Sequence, residues 1–191
     1  RAVVNATGVW VDTLRQMDGE ATGRPVQAIV APSQGVHIVV DREFLPSDHA
    51  LMVPKTADGR VLFAVPWLGK LILGTTDTPR HDIVREPEPF REEVRFILQE
   101  SAKYLTRAPR EHDIRSIWVG LRPLVKPQDS DGDNTKKISR EHTVLTSRSG
   151  LVTVTGGKWT TYRAMAEGVV QKCVTAGLLE EKPAGVTNHL P

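Results

Sequence analysis

Cysteine is nearly absent: Cys173 is the one thiol among 191 residues, so no disulfide can form within the chain. That usage fits a reducing compartment. Long apolar runs are missing too, and none approaches the roughly 18 residues a membrane-spanning helix needs. The chain opens on Arg1 and a strand-like Ala2-Val3-Val4, without the basic start and long apolar core of a signal peptide. Charge of one sign is not in excess. Lys and Arg number 25 against 23 Asp and Glu, and the basic residues are scattered, which argues against nucleic acid. His49, His81, His112, His142 and His189 show no metal-ligand spacing and read as surface residues. Trp10, Trp67, Trp118 and Trp159 are dispersed, form no stacking platform for bases, and are expected in the core or at a domain interface. No G-x-G-x-x-G occurs, so a dinucleotide pyrophosphate has no recognised cradle.

What remains is a globular composition. A hydrophobic content of 39% excludes a disordered chain, and 13 prolines with 15 glycines imply many turns and a β-rich core. The length allows one sizeable domain or two small ones.

In chain order, Arg1–Ala6 reads as a short strand. A turn of small residues, Ala6-Thr7-Gly8, and a helix over Val9–Met17 follow, with Trp10, Leu14 and Met17 at helical spacing. A linker over Asp18–Arg24 leads into strands at Val26–Ala31, Val36–Val40, Leu51–Pro54, Val61–Pro66 and Leu71–Gly74, whose short connections favour antiparallel hairpins. A helix opening near Pro89 and closed by Thr106–Pro109 aligns Phe90, Val94, Ile97, Leu98, Ala102 and Leu105 on one stripe. That stripe covers one sheet face and leaves the other for a ligand. Strands at Ile114–Leu121 and Thr143–Ser147 follow. The intervening Asp129, Asp131 and Asp133 resemble a calcium loop only superficially, because Arg140 stands at the twelfth position, and the segment reads as an exposed loop.

The stretch with most chemical content is Ser149–Glu167. An apolar strand (Leu151, Val152, Val154) stops at Gly156-Gly157, and Thr160, Thr161, Met165, Val169, Val170 and Cys173 then recur at helical spacing. A strand, a glycine pair and a helix start let a ligand approach the backbone and favour negative charge there, and Lys158 adds a cation at the same junction. A plain tight turn with a solvated lysine fits the pattern equally well. His37 points away from the face shared by Val36 and Ile38, as either a structural histidine or a base. Arg122, held before Pro123, offers a fork that matches phosphate, or else an ordinary ion pair. Asp77 reads as a structural turn residue.

Gly156-Gly157-Lys158-Trp159-Thr160-Thr161-Tyr162-Arg163 resembles the C-terminal flavin-site signature of the FAD-dependent glycerol-3-phosphate dehydrogenases. Asn5-Ala6-Thr7-Gly8, Gly35-Val36-His37, Gly74-Thr75-Thr76-Asp77 and Val119-Gly120-Leu121-Arg122-Pro123-Leu124 fit the same family in order, so the resemblance covers roughly residues 1 to 175. It implies an α+β fold, a largely antiparallel sheet covered by a helix. This is the substrate domain of a flavoprotein like glutathione reductase or D-amino-acid oxidase, with flanking pieces of the FAD domain. The implied divisions are residues 1–20 (FAD domain), 21–148 (substrate domain), 149–176 (FAD domain) and 177–191 (start of a C-terminal region). FAD is the implied cofactor, held by Ala6, Thr7, Gly8, Gly156, Gly157, Lys158, Trp159 and Thr160. His37, Arg122 and Lys158 are the implied catalytic and substrate-binding residues, with His37 taking the substrate hydroxyl proton. Thr160 is otherwise expected to cap its helix. The implied substrate is a phosphorylated polyol, glycerol 3-phosphate, and the implied acceptor a quinone. The parent enzyme is then a homodimer peripheral to an inner membrane, mitochondrial or bacterial. Val9 stands where many members carry proline, and the early active-site arginine of the family pattern is missing. The chain is therefore expected to be an internal fragment that binds FAD poorly and is inactive alone. Three alternatives remain: the α-glycerophosphate oxidases, another flavin oxidoreductase of the superfamily, and a β-rich binding module without catalysis.

Overall fold

A computed structural model describes residues 1–126, 141–183 and 185–190. The aspartates of the polar loop, Asp129, Asp131 and Asp133, lie outside the described residues. The chain divides into two compact units, one made of residues 1–30 with 139–191 and the other of residues 31–138.

The first unit is built on a three-stranded sheet. Strand β1 (Val3–Asn5) pairs in parallel with a later strand, Leu151–Gly156, which pairs antiparallel with His142–Thr146 on its other side. Helix α1 (Val11–Ala21) follows β1 after a 3-10 turn at Gly8–Trp10. It buries Val11 and Gly19, while Trp10 and Met17 are 40% and 60% exposed, so the stripe read through those two residues is not the packed face. The expected linker at Asp18 also starts too early, because the helix continues to Ala21. Gly19 carries no Cβ where the Arg24 carbonyl and Val26 press against it. Asp12 ends this segment by accepting the Ile29 and Val30 amides, each at 2.9 Å, so residues 26–29 do not extend as a strand.

The second unit is organised around β2 (Val30–Asp41), one long strand where two were expected. Its other strands are β3 (Leu51–Val53), β4 (Leu62–Trp67), β5 (Lys70–Gly74), β6 (Thr78–Pro79) and β7 (Ser116–Val125). Hydrogen bonding runs in the order β3-β4-β5-β2-β6, and β7 also pairs with β2. The turn-like Ala31-Pro32-Ser33-Gln34-Gly35 stays extended because its polar groups find partners inside the unit. The Arg80 amide donates to the Pro32 carbonyl, Ser33 to Asp77, and Gln34 to Glu93 at 2.7 Å. Alternation along β2 puts Val36, Ile38 and Val40 in the core with Leu62, Ala64, Leu71 and Leu73, under Ile97 and Leu98 of α2 (Arg91–Ser101). The helix stripe thus covers one sheet face, although Phe90 stays 40% exposed beneath the Arg80 guanidinium.

The register of β2 slips by one residue along the edge it shares with β5 and β6. His37 lies opposite Gly74, yet Gln34 lies opposite Thr78. Two residues of β2 therefore face three, Thr75, Thr76 and Asp77, which is a β-bulge. The Val36 amide, displaced from ordinary pairing, donates instead to the Thr76 hydroxyl at 2.9 Å.

In the first unit, β8 (His142–Thr146) and β9 (Leu151–Gly156) pack on α3 (Tyr162–Thr175), with Val152, Val169 and Cys173 at the centre. Helix α3 starts one turn later than the glycine pair, after a 3-10 turn at Trp159–Thr161. Thr160 lies inside that turn, and the capping expected of it does not occur. The Thr161 hydroxyl instead donates to the Lys158 carbonyl at 2.9 Å.

Candidate functional site

His37 and Arg122 meet in the second unit. Because β2 alternates, the same strand that buries Val36 and Ile38 turns His37 to the face that α2 does not cover. The imidazole needs room above β5, and Gly74 opposite it provides this: a Cβ there would stand 2.5 Å from His37 Cδ2. On its other side the ring stacks on Trp118 of β7, with centroids 5.3 Å apart and planes inclined by 18°. Partial burial pushes the His37 pKa below 6.5, and the Arg122 charge lowers it further. Near neutral pH the imidazole is therefore uncharged and able to accept a proton.

Arg122 lies over Gly35, where any Cβ would collide with the guanidinium. The bulge supplies its anchors. Nη1 donates to the Thr76 carbonyl at 3.0 Å and Nη2 to the Thr75 hydroxyl at 2.7 Å. Two glycines and a bulge thus place a neutral imidazole and a fixed cation side by side. Such a pair can take a proton from a hydroxyl while it binds an anionic group of the same molecule.

Behind the bulge, sequence reasoning missed a polar cluster. Glu93 of α2 is 5% exposed, and its carboxylate accepts from Gln34, Phe90, Thr76 and Thr78. The only forewarning was a glutamate three residues into the helix, the ordinary position of a capping side chain. Asp77, expected to be structural, is buried and accepts from Ser33. Trp118 was not foreseen as the partner of His37.

The remaining expected residues belong to the first unit. Since β1 and β9 run parallel in register, Ala6-Thr7-Gly8 and Gly156-Gly157-Lys158 leave the sheet at the same end, where open parallel sheets bind their ligands. Gly8 has φ +62° with no atom within 4 Å of where a Cβ would stand, and Gly156 and Gly157 have φ +78° and +75°. Backbone at Gly8 is open to close approach by a flat or anionic group, as the implied dinucleotide requires, whereas the Cβ position of Gly157 faces Met165 and His142. The residues present fit that cofactor. Asn5 steadies the first turn: its amide donates to the Val11 carbonyl at 2.9 Å, and its oxygen accepts from the Thr7 hydroxyl at 2.7 Å. Lys158, Trp159 and Thr160 are exposed, and Trp159, 87% accessible, stacks on Tyr162. None of the four tryptophans is a core residue, because Trp10, Trp67 and Trp118 are also 40–61% exposed.

Among the described residues no group of His, Cys, Asp and Glu could hold a metal ion, and no helix is long and apolar enough to cross a membrane.

Residues 1–163 match the DAO family, described as FAD dependent oxidoreductase. Over 190 residues the chain is 44% identical to a mitochondrial glycerol-3-phosphate dehydrogenase of Arabidopsis thaliana, covering 100% of this chain and 29% of that protein. Identity to the mitochondrial glycerol-3-phosphate dehydrogenase of Homo sapiens is 43%, over 96% of this chain and 25% of the human one. Among solved structures, the glycerol-3-phosphate dehydrogenase of Bacillus halodurans complexed with FAD superposes with a TM-score of 0.76 at 34% identity, over 96% of this chain and 34% of that one. The chain thus spans between a quarter and about a third of the length of these relatives.

Proposed function

The chain belongs to the FAD dependent oxidoreductase family, and on that premise we propose that it is part of a glycerol-3-phosphate dehydrogenase. The reaction is oxidation of glycerol 3-phosphate to dihydroxyacetone phosphate. The observation that carries this reading is the pairing of an uncharged imidazole with an anchored guanidinium on the open sheet face. FAD, when bound, supplies the acceptor for the hydride that leaves the secondary carbon. Ala6, Thr7, Gly8, Gly156, Gly157, Lys158, Trp159 and Thr160 are the residues that would hold it. His37 accepts the hydroxyl proton on an imidazole nitrogen as the carbonyl forms, which general-base catalysis requires. Arg122 binds the phosphate, where a planar cation outperforms a point charge. Lys158 of the first unit is the further cation that this reading assigns to catalysis and substrate binding. On this reading residues 21–148 form the substrate domain, and 1–20 and 149–176 belong to the FAD domain, with 177–191 beginning a C-terminal region.

Electrons then pass to a quinone, and the parent protein is a homodimer peripheral to an inner membrane, mitochondrial as in the named relatives or bacterial. The test is anaerobic mixing of the full-length flavoprotein with glycerol 3-phosphate. The substrate is expected to bleach the flavin absorbance, and Arg122→Met is expected to raise the substrate concentration needed by about 100-fold. Bleaching by glycerol and glycerol 3-phosphate at equal concentrations would overturn the assignment of the phosphate. Stopped-flow reoxidation distinguishes a quinone from oxygen as the acceptor.

A further inference from the structure

We propose that Thr76 is a positioning residue for the candidate site, held in place by the buried carboxylate of Glu93. The proposal rests on the reading of His37 and Arg122 given above. Thr76 is 1% exposed and sits in the middle of the β-bulge. Three of its contacts point in three directions. The hydroxyl donates to Glu93 Oε1 at 3.0 Å and accepts the Val36 amide at 2.9 Å, and the carbonyl accepts Arg122 Nη1 at 3.0 Å. The residue therefore ties helix α2 to the backbone next to His37 and to the guanidinium of Arg122.

Why threonine is required follows from its donor and acceptor inventory. A bulge leaves the Val36 amide without its ladder partner, and a buried amide must be satisfied. A hydroxyl can accept that amide and donate onward at once, which neither valine nor alanine can do. The onward acceptor must itself be fixed, and Glu93 is. Each of its oxygens takes two donors: Oε1 accepts from Thr76 and Thr78, Oε2 from Gln34 and the Phe90 amide. With both ends pinned, the Thr76 carbonyl has one place to be, and it is the carbonyl that anchors Arg122. Displacement of about 1 Å at a reacting centre costs on the order of 100-fold in rate, so a residue that never meets the substrate can still control turnover.

The experiment uses the full-length flavoprotein and four variants: Thr76→Val, Thr76→Ser, Glu93→Gln and, as the reference, His37→Gln. Steady-state kinetics with glycerol 3-phosphate are recorded against pH, alongside flavin content. Thr76→Val is expected to raise KM by more than it lowers kcat, with a combined loss of about 100-fold in kcat/KM, and to move the acid limb of the pH profile. Thr76→Ser keeps both bonds of the hydroxyl and is expected to stay within about threefold of the parent protein. If Thr76→Val does not fold, Glu93→Gln is expected to give the same raised KM and shifted limb, because the amide leaves one acceptor oxygen for four converging donors and so loosens the anchor of the Thr76 hydroxyl. The proposal is overturned if the folded valine or glutamine variant keeps KM, kcat and the acid limb unchanged, or if serine loses as much as valine. Failure of the underlying reading looks different: His37→Gln would itself retain full turnover.

Discussion

At the residue scale the account turns on two glycines and the side chains they admit. Gly35 was read only as part of a tripeptide, and Gly74 only as the end of a strand and the start of a tetrapeptide. Their use emerges once β2 and β5 are in register and the missing Cβ atoms prove to be where the Arg122 guanidinium and the His37 ring lie. Gly74→Ala is expected to push the imidazole off Trp118 and lower kcat/KM by about 100-fold while flavin content holds, checked by steady-state kinetics. Arg122 also governs the titration of its neighbour. Two causes lower the His37 pKa, burial first and the Arg122 charge second. Arg122→Met removes only the second, so the pKa is expected to rise toward 6.5 without reaching it, seen in the imidazole resonances of an NMR titration. Linkage gives the matching stability effect. The folded state binds the His37 proton less tightly than the unfolded chain does. Its stabilising contribution is therefore complete above pH 6.5 and declines as pH falls through the window between 6.5 and the lowered folded value.

At the scale of elements, much of the architecture was legible in the sequence and the rest was hidden by polar contacts between distant segments. The stripe of α2 could be read directly, since Val94, Ile97 and Leu98 recur at helical spacing and pack in the core, while Leu105, also buried, lies beyond the helix, which ends at Ser101 and not near Thr106. Ile97→Ala is expected to cost about 2–5 kcal/mol, measured by chemical denaturation, because Ile97 is wholly buried under the sheet. The junction at Gly156-Gly157 was legible for a similar reason: only glycine takes two successive positive φ values without strain. By contrast, β2 was divided in two because Pro32, Ser33 and Gly35 are turn residues locally. Their extended state depends on Arg80, Asp77 and Arg122, from 44 to 87 positions away. The start of α3 was misplaced for a smaller reason, a single 3-10 turn that shifts Thr160 out of the capping position. At the far end of β2, Asp41 joins Lys70 of β5 to Arg115 just ahead of β7. The hydrogen bonds from Arg115 and then Lys70 hold its carboxyl at about 2.

At the scale of the whole molecule, the proposed reading assigns a separate task to each of the two units. On that reading the glycine turns of residues 1–30 and 139–191 serve the flavin nucleotide, and His37 and Arg122 of residues 31–138 serve as base and anion-binding cation. The sequence motifs appear in both, which is why a resemblance spread over the chain pointed to the family even though no single tetrapeptide did. The claim on which everything rests is that His37 moves the substrate proton, and the pH dependence of kcat/KM for glycerol 3-phosphate in full-length His37→Gln measures it directly. The account predicts a fall of about 100-fold to 10,000-fold and loss of the acid limb expected of the parent protein below pH 6.5. A variant that keeps parental kcat/KM together with that limb would contradict it.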